Sequence, residues 1–205
     1  MKELTRIERD DLRKSKEILE TALVIFASNG FHSTTMALIS KASQYPLGTI
    51  YKYFPGKKEM YHDLVINRVY DLGQILFEIS QNQEMTVCDK LKASLFAQAD
   101  FYKANRDVVR IYISERNNID AVNMPKLNEK VNKLHEKMVS LFKDMFEQGV
   151  AQAEFKSYPS QDMATLFSDI AHSAAWASLF RDEDEIEIKE RLSVIFDMFT
   201  NGILK

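Results

Sequence analysis

Apolar residues recur at spacings of three and four along nearly the whole chain. No stretch alternates apolar and polar residues for long enough to make a half-buried strand. That period belongs to the α-helix, where residues three and four apart share a face. Only six glycines and four prolines punctuate the 205 residues, too few for the turns of an all-β fold. The fold class is therefore all-α. With 45% hydrophobic residues there is ample apolar mass for a core, which excludes intrinsic disorder. No apolar run reaches the roughly 18 residues of a transmembrane helix, so no membrane contact is expected. The single cysteine, Cys88, rules out an internal disulfide and fits a reducing compartment. The charged start MKELTRIERDDLRKSKE lacks the apolar core of a signal peptide. A cytoplasmic protein is expected.

The breaks between periodic stretches divide the chain into about nine helices. The first is expected from about Arg13 to Ser28, with Ile18, Ala22, Ile25 and Phe26 on one face and Asn29-Gly30 as its stop. The charged segment Lys2 to Lys16 ahead of it reads as a disordered arm or a fraying first turn. A short helix starts near Thr34-Thr35, whose hydroxyls suit an N-cap, and turns Met36, Leu38, Ile39 and Ala42 inward. Ser43-Gln44-Tyr45-Pro46 breaks it, because proline keeps Tyr45 out of the α region. A two-turn helix, Leu47 to Phe54, ends at Pro55-Gly56. A long helix follows from Lys57 to about Ser80, with Val65, Val69, Leu72, Leu76 and Ile79 in one stripe. Further helices are expected at about 85–104, 106–116, 125–148, 160–181 and 184–202. In the 125–148 helix, Leu127, Val131, Leu134, Met138, Leu141 and Met145 form the stripe, and Gly149 is expected to stop it.

The net charge of −3 is unevenly placed. Residues 1–62 carry ten basic and seven acidic side chains, and the remainder seventeen and twenty-three. A mildly basic head therefore joins an acidic body. Three short helices in about 45 residues, the last two separated by a four-residue break, describe a helix-turn-helix. Its last helix must enter a major groove about 12 Å wide and offer polar groups to base edges. In 47–54, Ile50 and Phe54 lie four apart and can anchor the helix to the head. Thr49, Lys52 and Tyr53 then point away, with Tyr51 at the flank.

The stretch TTMALISKASQYPLGTIYKYFPGKKEMYHDLV, with ILETALVIFASNGF before it, resembles the DNA-binding signature of TetR-family transcriptional regulators over about residues 13–65. The resemblance implies a helix-turn-helix DNA-binding domain over 1–60, its motif at about 35–54, and a ligand-binding and dimerisation domain over 61–205. It implies phosphate contacts from Thr35, Tyr51 and Tyr53, and base-facing positions for Leu47, Thr49 and Lys52. It also implies a phosphate at the start of the fourth helix, held by Lys57, with Lys58 as an added cation. Two departures stand out. Gln44 occupies the turn position that is usually Gly, and Pro46 replaces the usual Ser at the start of the recognition helix. Gly48 inside that helix costs about 1 kcal/mol relative to Ala, which a close approach of backbone to DNA would explain.

In the body, Ser168, Ala171, Ala175 and Ser178 form a small-residue stripe, and the last helix presents Ile188, Leu192, Ile195, Phe196 and Phe199. Two such helices resemble the family's dimer-forming four-helix bundle, so a homodimer is expected through Ser168, Ala171, Ala175, Ser178, Leu192, Ile195, Phe196 and Phe199. Internal core is the alternative for the same residues. A two-fold dimer sets its half-sites about 34–36 Å apart and calls for a near-palindromic operator. Family members commonly hold a small effector in the body. The candidates here are Phe96, Tyr102, Tyr112, Met138, Phe142, His172 and Trp176, each of which also reads as core. The abundance of Met and Phe points to an apolar effector.

Catalytic signatures are missing. The histidines, His32, His62, His135 and His172, have no metal-ligand spacing, and Asp182 to Glu190 reads as an acidic helix start rather than a metal site. No cofactor or metal is expected. The resulting expectation is a ligand-responsive repressor that binds duplex DNA. The rivals are a helical small-molecule-binding protein that no longer reads DNA and, more remotely, an enzyme built on a helical bundle.

Overall fold

The computed structural model describes residues 5–117, 125–180 and 184–204; within them, the side chains of 112–117, 125, 126, 175, 178–180 and 185 are outside the description. The described residues form nine α-helices and no strand. They fall into two compact units. One comprises the described residues of Met1–Arg68 and Asp107–Leu127, the other those of Val69–Arg106 and Asn128–Lys205.

The first unit opens with α1, Arg6–Ser33. This helix begins well before Arg13, so the expected arm or frayed turn is replaced by ordered helix from Arg6 onward; Lys2 to Leu4 lie outside the described residues. The physical reason is local. The Thr5 hydroxyl accepts the Glu8 N–H at 3.2 Å, and the Glu8 carboxylate accepts the Thr5 N–H at 2.7 Å, a complete capping box. Asp10 then pairs with Arg13 and Lys14, and Arg13 with Glu17, all at helical spacing. At Gly30 the backbone leaves the helix with φ 77°, which a Cβ would oppose.

Two short helices follow, α2 (Met36–Ser43) and α3 (Leu47–Tyr53). Thr35 caps α2 by accepting the Leu38 N–H at 3.2 Å. Ala42, expected inside, is exposed, because Met36 and Ile39 alone supply the buried side of so short a helix. Gln44 ends α2 in the left-handed conformation, φ 60° and ψ 14°. Pro46 stands at the N-cap of α3 without a side-chain bond, and its carbonyl accepts from Thr49 and Ile50. Ile50 and Phe54 are buried as their spacing requires. They join Ile18, Ala22, Phe26, Ile39 and, from the start of α4 (Lys57–Gln81), Met60, Tyr61 and Leu64. The rings of Phe26, Phe31 and Tyr61 pack mutually at 5.2–6.1 Å.

The second unit is built from the C-terminal part of α4 with α5 (Val87–Ala104), α7 (Pro125–Ala151), α8 (Ser160–Phe180) and α9 (Glu185–Ile203). α6 spans Arg106–Asn117. Helix α5 packs chiefly against α8. The core holds Leu72, Leu76, Leu91, Leu95 and a set of phenylalanines, in which Phe167 meets Phe142 at 4.9 Å and Phe199 at 5.5 Å. Asp184 caps α9 with a second capping box, accepting from Ile186 and Glu187.

Two expectations change here. Gly149 does not stop α7, which continues to Ala151. Its role is room: a Cβ there would lie 2.4 Å from the Phe155 ring, so only glycine lets that ring close onto the helix. The reversal comes at Ala153, φ 60°, and the Gly149 carbonyl accepts from both Glu154 and Phe155. Beyond it, Phe155 bridges Leu204, and the Lys156 N–H donates to the Ile203 carbonyl at 2.7 Å.

Most residues of the expected dimer stripe lie inside the single chain. Ser168, Ala171, Leu192, Phe196 and Phe199 are buried within the single chain, and the Ser168 hydroxyl bonds His135 Nε2 at 3.2 Å. Ala175 and Ser178 have side chains outside the description. A helical stripe shows periodicity but not which neighbour it faces. The exposed apolar side of α8 and α9 carries Leu166, Ile170, Ile195 and Met198 instead, with Met198 73% exposed. These residues line an open groove of about 660 Å³. Of the predicted set, Ile195 and Phe199 border it.

Candidate nucleic-acid interface

Helix α3 is seven residues long, about 10 Å at 1.5 Å per residue. Its inward side is set by Ile50, and Phe54 anchors the chain just after it. The other side presents Leu47, Thr49, Tyr51 and Lys52, of which Leu47 is 39% and Tyr51 49% exposed. A Cβ on Gly48 would meet nothing within 4 Å, so its backbone lies open. Thr35, at the start of α2, is exposed as well. Open backbone, a hydroxyl, a phenol and a cation thus lie on the outward side of α3, groups of the kind that meet base edges and phosphates in a major groove.

Tyr53 and Lys52 already have a partner. The Tyr53 hydroxyl donates to Asp11 Oδ1 at 2.6 Å, and the Lys52 ammonium donates to both oxygens of the same carboxylate at 3.2 and 3.3 Å. The Lys52 ammonium also sits 5.2 Å from the Tyr53 ring centre. The Tyr53 hydrogen bond, and after it the Lys52 bond, holds the Asp11 carboxyl below its ordinary value. Asp11 in turn pushes the Tyr53 phenol up. Further along α1, the Tyr45 hydroxyl donates to Glu17 at 2.5 Å and lowers that carboxyl too. Sequence reasoning missed Asp11 and Glu17. They lie 28 to 42 residues from their partners, and no local pattern marks the pairing.

Lys57 differs from its expected setting. Its ammonium donates to the carbonyls of Phe31, His32 and Thr34 at 2.8–2.9 Å and lies 4.7 Å from the Phe31 ring centre. It satisfies the carbonyls at the end of α1, where a cation also suits the helix dipole. Lys58 beside it is exposed.

In the second unit, three predicted ligand residues come together. The Tyr102 hydroxyl meets His172 Nδ1 at 3.0 Å, and the His172 and Trp176 rings are 5.8 Å apart. Phe142 belongs to the ring core with Phe167. Met138 reaches over Gly73 of α4, whose Cβ would lie 3.6 Å from its methyl. Phe96 is half-buried. The Tyr112 side chain lies outside the described residues. Burial, first of all, pushes the Cys88 thiol up, away from the thiolate a nucleophile needs. Among the described residues, no group of three acidic, His or Cys side chains could hold a metal, and no helix is long and apolar enough to cross a membrane.

Comparison with known proteins agrees with this geometry. The signature of the bacterial regulatory proteins of the tetR family matches residues 18–64. The HTH-type transcriptional regulator YhgD of Bacillus subtilis is 25% identical over 143 residues, covering 70% of this chain and 72% of that protein. A TetR/AcrR-family regulator from Thermobifida fusca superposes with a TM-score of 0.74 at 17% identity, over 93% of this chain and 98% of its own. FadR from B. subtilis, solved in complex with stearoyl-CoA, has a TM-score of 0.74 at 16% identity, over 91% and 98%. The matched residues span α1 to the start of α4, around the exposed face of α3, so residues 18–64 carry the DNA-binding signature of the tetR family of bacterial regulatory proteins.

Proposed function

We propose that the protein is a homodimeric repressor that binds a near-palindromic operator and leaves it when a small apolar effector enters the second unit. The observation that carries the DNA reading is α3 itself, a short helix anchored by Ile50 and Phe54 with Leu47, Thr49, Tyr51 and Lys52 turned outward. Leu47, Thr49 and Lys52 meet base edges, while Thr35, Tyr51, Tyr53 and Lys58 meet phosphates. Lys57 contributes by shaping the turn ahead of α2. The left-handed Gln44 supports this reading, since the turn forms without glycine at a cost of about 1 kcal/mol.

The apolar groove on α8 and α9 supports self-association, because a single chain leaves Leu166, Val194 and Met198 more than half exposed. The stearoyl-CoA bound to FadR supports an effector with a long apolar part, and the Tyr102–His172 pair would offer it a polar contact. The protein acts by binding, in the cytoplasm, rather than by catalysis.

Selection of source-genome fragments by the purified protein, followed by salt titration of the enriched sequence, tests the function. Enrichment of one near-palindrome with a steep salt dependence is expected. Replacing Tyr51 and Lys52 together by Ala should abolish that enrichment while the dimer persists. Undiminished binding would remove α3 as the reading element. Enrichment without a shared sequence would favour a binding protein that has lost DNA reading.

A further inference from the structure

Asp11 lies on the α1 side of the proposed DNA face and takes two of its donors. Lys52 and Tyr53 both end on the one carboxylate, in a geometry that leaves the Asp11 side chain 37% exposed. Its neighbour Asp10 is engaged elsewhere, with Arg13 and Lys14. A carboxylate and a phosphate offer an ammonium and a phenol the same thing, anionic oxygens at hydrogen-bond distance. Their difference here is that one belongs to the protein and the other to the duplex.

We propose that Asp11 is a built-in substitute for a DNA phosphate, a latch that holds Lys52 and Tyr53 in the free protein and must be displaced when DNA binds. The inference rests on the reading of Lys52 and Tyr53 as DNA contacts. Binding is then an exchange of one anion for another. Exposed ion pairs are individually weak, so the latch opens readily. Opening it nevertheless leaves a negative charge facing the incoming phosphates, and that charge recruits a cation in place of one released from the DNA. Asp11 therefore lowers affinity for any duplex and flattens its salt dependence.

The test uses the full-length protein and a labelled duplex of arbitrary mixed sequence, long enough for two half-sites, with anisotropy read between about 50 and 200 mM salt. Asp11→Asn and Asp11→Ala should each bind roughly threefold to tenfold more tightly. The slope of log affinity against log salt should steepen by about one per subunit. Both variants keep a helix-compatible residue at a part-exposed position, and far-UV circular dichroism checks that α1 is intact.

The same substitutions in a Lys52→Ala/Tyr53→Phe background should gain at least about twofold less than in the otherwise native protein, because the carboxylate charge is still removed but no donor is left to release. Unchanged or weaker binding in the otherwise native protein would overturn the latch. So would an equal gain in both backgrounds, which would be a general charge effect. If Lys52→Ala/Tyr53→Phe alone leaves affinity intact, the DNA-contact reading itself fails, and the latch with it.

Discussion

A lysine placed at the start of a helix invites a phosphate, yet Lys57 faces inward to three carbonyls 23 to 26 residues upstream. Those carbonyls belong to the turn that leads into the N-cap of α2, so Lys57 sets where α2 begins. Lys57→Met keeps the stem and removes the donors. The head should lose about 1–3 kcal/mol, read by chemical denaturation, and an unchanged midpoint would mean that water replaces the ammonium without cost. Acid tests the carboxylates of α1. Hydrogen bonds from Lys14 and then Arg13 hold the Asp10 carboxyl down to about 2, and Asp11 and Glu17 are lowered by their own partners. Because these folded values lie below the unfolded ones, the unfolded chain binds protons first as pH falls. The stability these groups contribute is complete above about pH 5 and is lost progressively toward pH 2. The thermal midpoint should fall across that window, and Asp10→Asn should flatten the slope.

At the scale of elements, helix positions were legible in the sequence and helix partners were not. Starts and stops depend on neighbours in the chain, such as Thr35 before α2, Thr86 before α5 and Asp184 before α9, all of which act as N-caps. The early start of α1 was legible too, in Thr5 and Glu8, but the surrounding charge masked it. Faces are different. On α7 the expected stripe leaves Val131, Leu134, Met138 and Leu141 only half-buried, while Phe142 and Phe146 fill the core. The candidate site divides in the same way. The outward residues of α3 follow from the Ile50–Phe54 spacing, whereas the Asp11 and Glu17 contacts depend on tertiary closure. Gly149 shows how a local signal can be misread, since the glycine marks space for a ring rather than an end. Gly149→Ala gains up to about 1 kcal/mol of helix propensity but forces the buried Phe155 ring aside. A net loss of about 1–2 kcal/mol in urea unfolding is expected. A more stable variant would show that the ring relocates freely.

For the whole molecule, the groove on α8 and α9 is the feature with most leverage. If two copies meet there, Met198→Glu places a charge against an apolar partner. Sedimentation should then show monomer, with helix content retained. Operator affinity should fall at least about tenfold, because the two half-sites no longer engage as a linked pair. A dimer that survives Met198→Glu would move the interface elsewhere. The strap at Phe155 and Lys156 offers a way to watch the same event without a substitution. The Lys156 N–H is closed by the last turn of α9, through Ile203. Deuterium can enter at that amide only when α9 lifts from the connection between α7 and α8. Its exchange rate is thus a clock for the docking of α9, the helix that carries Ile195 and Met198. Self-association through the groove should slow that clock as protein concentration rises.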